Sequence, residues 1–176
     1  MTPDEAFNAF LEANQDAQEV MGTASSADPW AGSPFEWIMR LASRRRGKAG
    51  EVLVEAWLRR LGFDVGRPRS GDHDRVVAGR KVEIKFSTLW EQGDYVFQQF
   101  RDQDYELVVL LGVSPTAVHG WVVPKEVAIE HSVPQHGGAR GSDTRWLRFR
   151  AATPPSWMGA YGGDLFEFER AAREYF

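Results

Sequence analysis

Asp74, Glu83 and Lys85 fall within one short stretch, Gly-Asp-His-Asp-Arg-Val-Val-Ala-Gly-Arg-Lys-Val-Glu-Ile-Lys-Phe, from Gly71 to Phe86. Val76 and Val77 precede a turn at Ala78-Gly79-Arg80 and an alternating run follows it, which predicts two short strands joined as a hairpin. In the second strand Val82, Ile84 and Phe86 share one face, so Glu83 and Lys85, two apart, point the other way together. Asp74, at the mouth of the first strand, can approach them across the hairpin. Two carboxylates and an ammonium on one face of a buried sheet are costly to desolvate unless they hold something. A hard divalent cation is the obvious candidate. Asp72 competes with Asp74 for the place of first ligand.

The elements that must position these groups are legible in outline. An amphipathic helix is predicted from Lys48 to Leu61, with Leu53, Val54, Trp57, Leu58 and Leu61 as its apolar stripe and Gly62 ending it. Glu51 borders that stripe. Phe63 to Gly66 opens the sheet, and Arg67 to Gly71 forms a basic loop beside the hairpin. Tyr95 to Arg101 reads as a helix lying against the sheet, because Val96 and Phe100 are four apart and Phe97 and Phe100 three apart. Glu106 to Val113 is apolar on both faces, as a central strand covered on two sides would be. Val118 to Val123 is one more strand, and Pro124-Lys125-Glu126 starts a helix.

Toward the C-terminus, His136 to Ser142 reads as a basic loop and Arg145 to Arg150 alternates like a strand. Its Trp146, Arg148 and Arg150 share a side that could lie along DNA or belong to an ordinary surface strand. Leu165 to Phe176 is a closing helix. Toward the N-terminus, residues 3 to 20 read as an acidic helix with Phe7, Phe10 and Leu11 on one side. It is a docking arm, a lid, or a helix packed on its own domain. A connector and a helix from Phe35 to Ser43 follow. The expected division is an N-terminal helical extension over residues 1–46 and a catalytic domain over 47–176.

An aspartate at a strand start, a tight turn and Glu-x-Lys on the next strand resemble the PD-(D/E)xK, or restriction-endonuclease-like, nuclease superfamily. His73 stands where the literal proline of that pattern would be. The resemblance spans about Lys48 to Lys125 and implies an α/β fold, a restriction-endonuclease-like core with a central mixed β-sheet flanked by helices. It implies a glutamate on the helix before the sheet, here Glu51 with Glu55 as the spare. It also implies a glutamine on the helix after Glu-x-Lys, here Gln99 with Gln98 behind it. The implied activity is a metal-dependent DNA endonuclease of restriction or phage-defence type. Alternatives are a structure-specific repair nuclease or junction resolvase, and a non-catalytic nucleic-acid-binding module on the same fold.

Oxygen ligands from Asp74, Glu83, the Ile84 carbonyl and Glu51 suit magnesium, which needs few protein groups, with manganese as a substitute. Lys85 would touch the attacking water and the phosphate, or form a plain ion pair with Glu83 or Asp74. The four histidines lack metal-ligand spacing, and no phosphate-cradling Gly-x-x-x-x-Gly-Lys-Ser/Thr sequence is present, which argues against a nucleotide cofactor.

Hydrophobic content of 43% and charged content of 26% are ordinary for a soluble globular protein. The net charge of −4 is unevenly spread. Residues 1–39 hold seven acids and no Lys or Arg, whereas residues 40–85 hold thirteen bases and six acids, three of them the proposed site. The middle block looks like a surface for phosphates, through Arg44, Arg45, Arg46, Lys48, Arg67 and Arg69, joined by Arg101 further along. For any single one of them a solvated helix or loop exterior is the better reading. Cysteine is absent, no apolar run approaches membrane-spanning length and the N-terminus lacks a signal-peptide layout. These features predict a cytoplasmic protein without a membrane partner. Duplex cleavage by one small centre calls for two copies, so a homodimer or a partner subunit is expected.

Overall fold

The computed structural model describes residues 28–68, 70–134 and 144–176. The acidic N-terminal segment, Arg69 and the His136–Ser142 loop lie outside them. The fold is α/β: a six-stranded mixed sheet and a smaller three-stranded antiparallel sheet, with helices packed against them.

The chain enters through a short helix α1 (Glu36–Met39) and the long helix α2 (Ser43–Arg60). Helix α2 starts at Ser43 and not near Lys48, so Arg44, Arg45 and Arg46 occupy its first turns. It also runs through the 46/47 boundary, and Trp30 and Ile38 upstream of that boundary share the core of the sheet. Basic residues at a helix N-terminus oppose the macrodipole. Nothing acidic offsets them in the first turn, and Arg46 folds back onto the carbonyls of Leu41 and Met39.

The first strands β1 (Val65–Gly66), β2 (Arg75–Val77) and β3 (Arg80–Thr88) form an antiparallel meander. The β2–β3 turn has Ala78 at φ 47° and Gly79 at φ 86°, the two left-handed positions that a tight hairpin turn demands. Strand β5 (Leu107–Val113) then pairs parallel to β3, and β6 (Val118–Pro124) antiparallel to β5. All seven residues of β5 are buried. Its Leu107, Val109, Leu111 and Val113 face a core shared with α2 and with α4 (Leu165–Tyr175), while Val108 and Leu110 face a second core on the opposite side.

That second core is closed by β4 (Asp94–Phe100), β8 (Arg145–Arg150) and the short β7 (Val133–Pro134), with α3 (Lys125–His131) and a 3₁₀ turn, Ser156–Ala160, alongside. The two-residue strand β9 (Gly162–Gly163) completes the large sheet beside β6.

Strand β4 corrects the helix expected over Tyr95–Arg101. Its register with β8 runs Tyr95 to Phe149 and Phe97 to Leu147, then jumps so that Phe100 faces Arg145. One extra residue at Gln98–Gln99 makes a β-bulge, and Gln99 sits at φ 60°. The bulge returns Phe100 to the buried side already occupied by Tyr95 and Phe97. A strand's spacing of two thereby becomes three, which is the helical signature that the sequence displays.

Candidate active site

The cluster is assembled from β2, β3 and α2. Just before its pairing with β3, the chain at Asp74 donates its N–H to the Val82 carbonyl (2.9 Å). The Asp74 carboxylate in turn accepts the Ile84 N–H at 2.8 Å. These two bonds pin Asp74 beside Glu83 at the end of the β2–β3 pairing. Lys85 Nζ lies 2.7 Å from Glu83 Oε1, with the two side chains only 14% and 13% exposed. The ammonium also sits 5.8 Å from the centroid of the Phe100 ring, a favourable cation–π placement.

Helix α2 approaches β3 closely because residue 50 is glycine: a Cβ there would stand 2.3 Å from the Phe86 side chain. The approach brings Glu51 to the edge of the cluster. Its carboxylate is held by Lys48 (2.6 Å) and by Arg75 (3.2 Å), while Arg75 Nε also bonds Glu55 at 2.8 Å. Arg75 is a residue that the sequence did not single out. The only signal for it was a base one position after the candidate aspartate.

Burial pushes the carboxyls of Asp74 and Glu83 up from their ordinary values. The negative charge of Glu51 raises Asp74 further and that of Asp74 raises Glu83 further, against the opposing pull of Lys85 on both. Desolvation and like charge together outweigh Lys85 and, at Asp74, the Ile84 N–H bond and Arg75 as well.

The cluster opens into a cleft of about 690 Å³. Asp74, Glu83, Ile84 and Lys85 form its floor. Glu51, Arg44, Arg46 and Gly47 of α2 line one wall, and Val96, Gln98 and Gln99 of β4 line another. Asp72, the competitor of Asp74, does not line it. Gln99 reaches the cleft from the bulge of a strand, not from the helix that the resemblance implied. Lys48, Glu55, Arg67 and Arg75 border a separate cavity of about 520 Å³. Arg45 and Arg101 are exposed and line neither.

Among the described residues no three His, Cys, Asp or Glu side chains converge tightly enough to share one ion. The donor set is therefore two carboxylates, Asp74 and Glu83, with the Ile84 backbone beside them and Glu51 engaged by its own cations. Magnesium fits such a set, since it keeps several waters and takes one or two carboxylates. Two half-buried, mutually repelling carboxylates are also what a divalent cation relieves.

No helix among the described residues is long and apolar enough to cross a membrane. No family model and no curated protein matches the chain. Among solved structures it is similar to a bacterial homing endonuclease, I-Ssp6803I, with 19% identity and a TM-score of 0.43 over 62% of this chain and 75% of that one. At that distance the likeness carries no functional weight.

Proposed function

We propose that the chain is a magnesium-dependent DNA endonuclease with a restriction-endonuclease-like core, of restriction or phage-defence type. The observation that carries this reading is the convergence of Asp74, Glu83 and Lys85 on the floor of an open cleft flanked by the basic first turns of α2. Asp74 and Glu83 would hold the cation, with the Ile84 carbonyl as a third oxygen. When bound, magnesium supplies a water of lowered pKa and offsets charge on the phosphate oxygens.

The chain's own groups do the rest. Lys85 is held by Glu83 at one end of its reach and by Phe100 beneath it, so its ammonium points into the cleft as an oriented donor. In that place it orients the attacking water and balances negative charge as the phosphorus becomes five-coordinate. Glu51 and Arg75 fix α2 against the hairpin, and Arg44 supplies a cation for the DNA backbone. Two copies of the chain, or a partner subunit, would act on the two strands.

The test is plasmid nicking by the purified protein in magnesium, with and without EDTA. Nicking that needs magnesium and is abolished by Asp74→Asn, Glu83→Gln or Lys85→Ala, each still folded by circular dichroism, is the expected result. Cleavage that survives all three changes would place the chemistry elsewhere.

A further inference from the structure

The bulge in β4 does more than return Phe100 to the core. Gln98 and Gln99 together stand opposite Trp146 of β8, and Gln99 is exposed. A left-handed residue that is not glycine costs on the order of 1 kcal/mol. Gln99 itself is exposed, and the burial of Phe100 offsets that cost. The same bulge turns a second amide out of the pleat and into the wall of the cleft, beside Gln98.

The same face continues along the ribbon. Register places Val96 beside Arg148 and Asp94 beside Arg150, while Phe97, Leu147, Tyr95 and Phe149 point inward. The buried Asp94 carboxylate orients both guanidiniums, Arg148 at 2.5 Å and Arg150 at 3.3 Å. The two arginines remain 53% and 65% exposed, and one carboxylate leaves one of their charges unbalanced. The β4–β8 pair is flanked by β7 only at Arg145 and Trp146 and is two-stranded beyond them. The major groove of duplex DNA admits such a shape, and a glutamine amide in that groove pairs in bidentate fashion with adenine.

We propose that the β4–β8 ribbon is the base-reading surface of this protein. It would enter the major groove with Gln98 and Gln99 on base edges and Arg148 and Arg150 on the flanking phosphates. The proposal rests on the nuclease reading for its duplex substrate and adds where sequence is read. The adenine preference comes from the amides, and the cation excess fixes the register of the ribbon on the backbone.

Binding selection from a random-sequence duplex library, on the full chain carrying Lys85→Ala, separates reading from cleavage. The expected profile contains at least one strongly preferred adenine. Adding Gln99→Gly keeps the positive φ without strain but removes the amide. That preference should then fall on the order of tenfold, the discrimination carried by one bidentate pair, while duplex binding persists. Gln99→Asn, which tolerates the same backbone and keeps an amide, should retain part of the preference. A profile unchanged by Gln99→Gly and Gln98→Ala, or one with no preferred adenine at all, overturns the proposal. Absence of duplex binding overturns it as well. Plasmid nicking by the wild-type chain judges the nuclease reading independently of all these outcomes.

Discussion

Arg75 Nη1 lies 3.2 Å from Glu51 Oε2, an ion pair that joins the strand carrying the candidate aspartate to the helix carrying the candidate glutamate. The same guanidinium bonds Glu55 at 2.8 Å and is only 11% exposed. Arg75→Ala therefore leaves two glutamates facing each other across a lost counterion. Both are partly solvated, which discounts the loss. We expect about 1–2 kcal/mol of destabilisation in urea unfolding, within the range for breaking a partly buried charged contact.

The pair also has a pH signature. Arg75 holds the Glu55 carboxyl below the ordinary glutamate value of 4.5. A depressed carboxyl stabilises the fold fully above its unfolded value, and that stability is lost as pH falls through the lowered folded value. Thermal melts of wild type and Arg75→Ala should accordingly differ most near neutral pH and converge in acid below 4.5. A difference that stays constant with pH would mean that Arg75 acts through packing alone.

Asp74 and Glu83 behave in the opposite sense. Their carboxyls are raised by burial, so at intermediate pH the native state binds more protons than the unfolded chain and stability falls as pH rises. The metal-free protein should melt at a higher temperature in mild acid, above the pH where other carboxylates titrate, than at pH 7. Asp74→Asn and Glu83→Gln should match or exceed wild-type stability in EDTA at pH 7. Both should lose the melting-temperature rise that magnesium gives wild type. A magnesium shift that persists in both variants would point to ligands other than these two.

Gly50 sets how close α2 comes to the sheet. A Cβ at this position meets Phe86 at 2.3 Å, a contact that only a displacement of helix or ring can relieve. Gly50→Ala should cost about 1–3 kcal/mol, the usual range for overpacking, despite the better helix propensity of alanine. Combining it with Phe86→Ala should cost less than the sum of the two single changes in a double-mutant cycle. Strict additivity would show that the helix and the ring do not share that space.

The β2–β3 turn offers a gain. Ala78 occupies a left-handed position at φ 47°, followed by Gly79 at φ 86°. Ala78→Asn creates the Asn-Gly pair that such hairpin turns favour. An increase of about 0.5–1 kcal/mol in unfolding free energy is expected, close to the penalty that alanine carries there. Unchanged or reduced stability would mean that the turn relaxes in solution.

The sequence by itself determined the hairpin, its turn, the shared face of Glu83 and Lys85, and the doubly buried strand Leu107–Val113. Each of these follows from a local period of two, a glycine, or an unbroken apolar run. It also determined the amphipathic stripe that docks Val54 and Leu58 on the sheet, because a period of 3.6 needs no partner to be read. Only the tertiary structure decided that Tyr95–Phe100 is a strand, since a bulge of one residue shifts the parity of its buried side chains and so imitates a helix. Only the tertiary structure placed Arg75 between Glu51 and Glu55, separated Asp74 from Asp72, and divided the basic residues between a cleft and a second cavity. Those relations join side chains from different elements, and no periodicity along one segment encodes a distance to another.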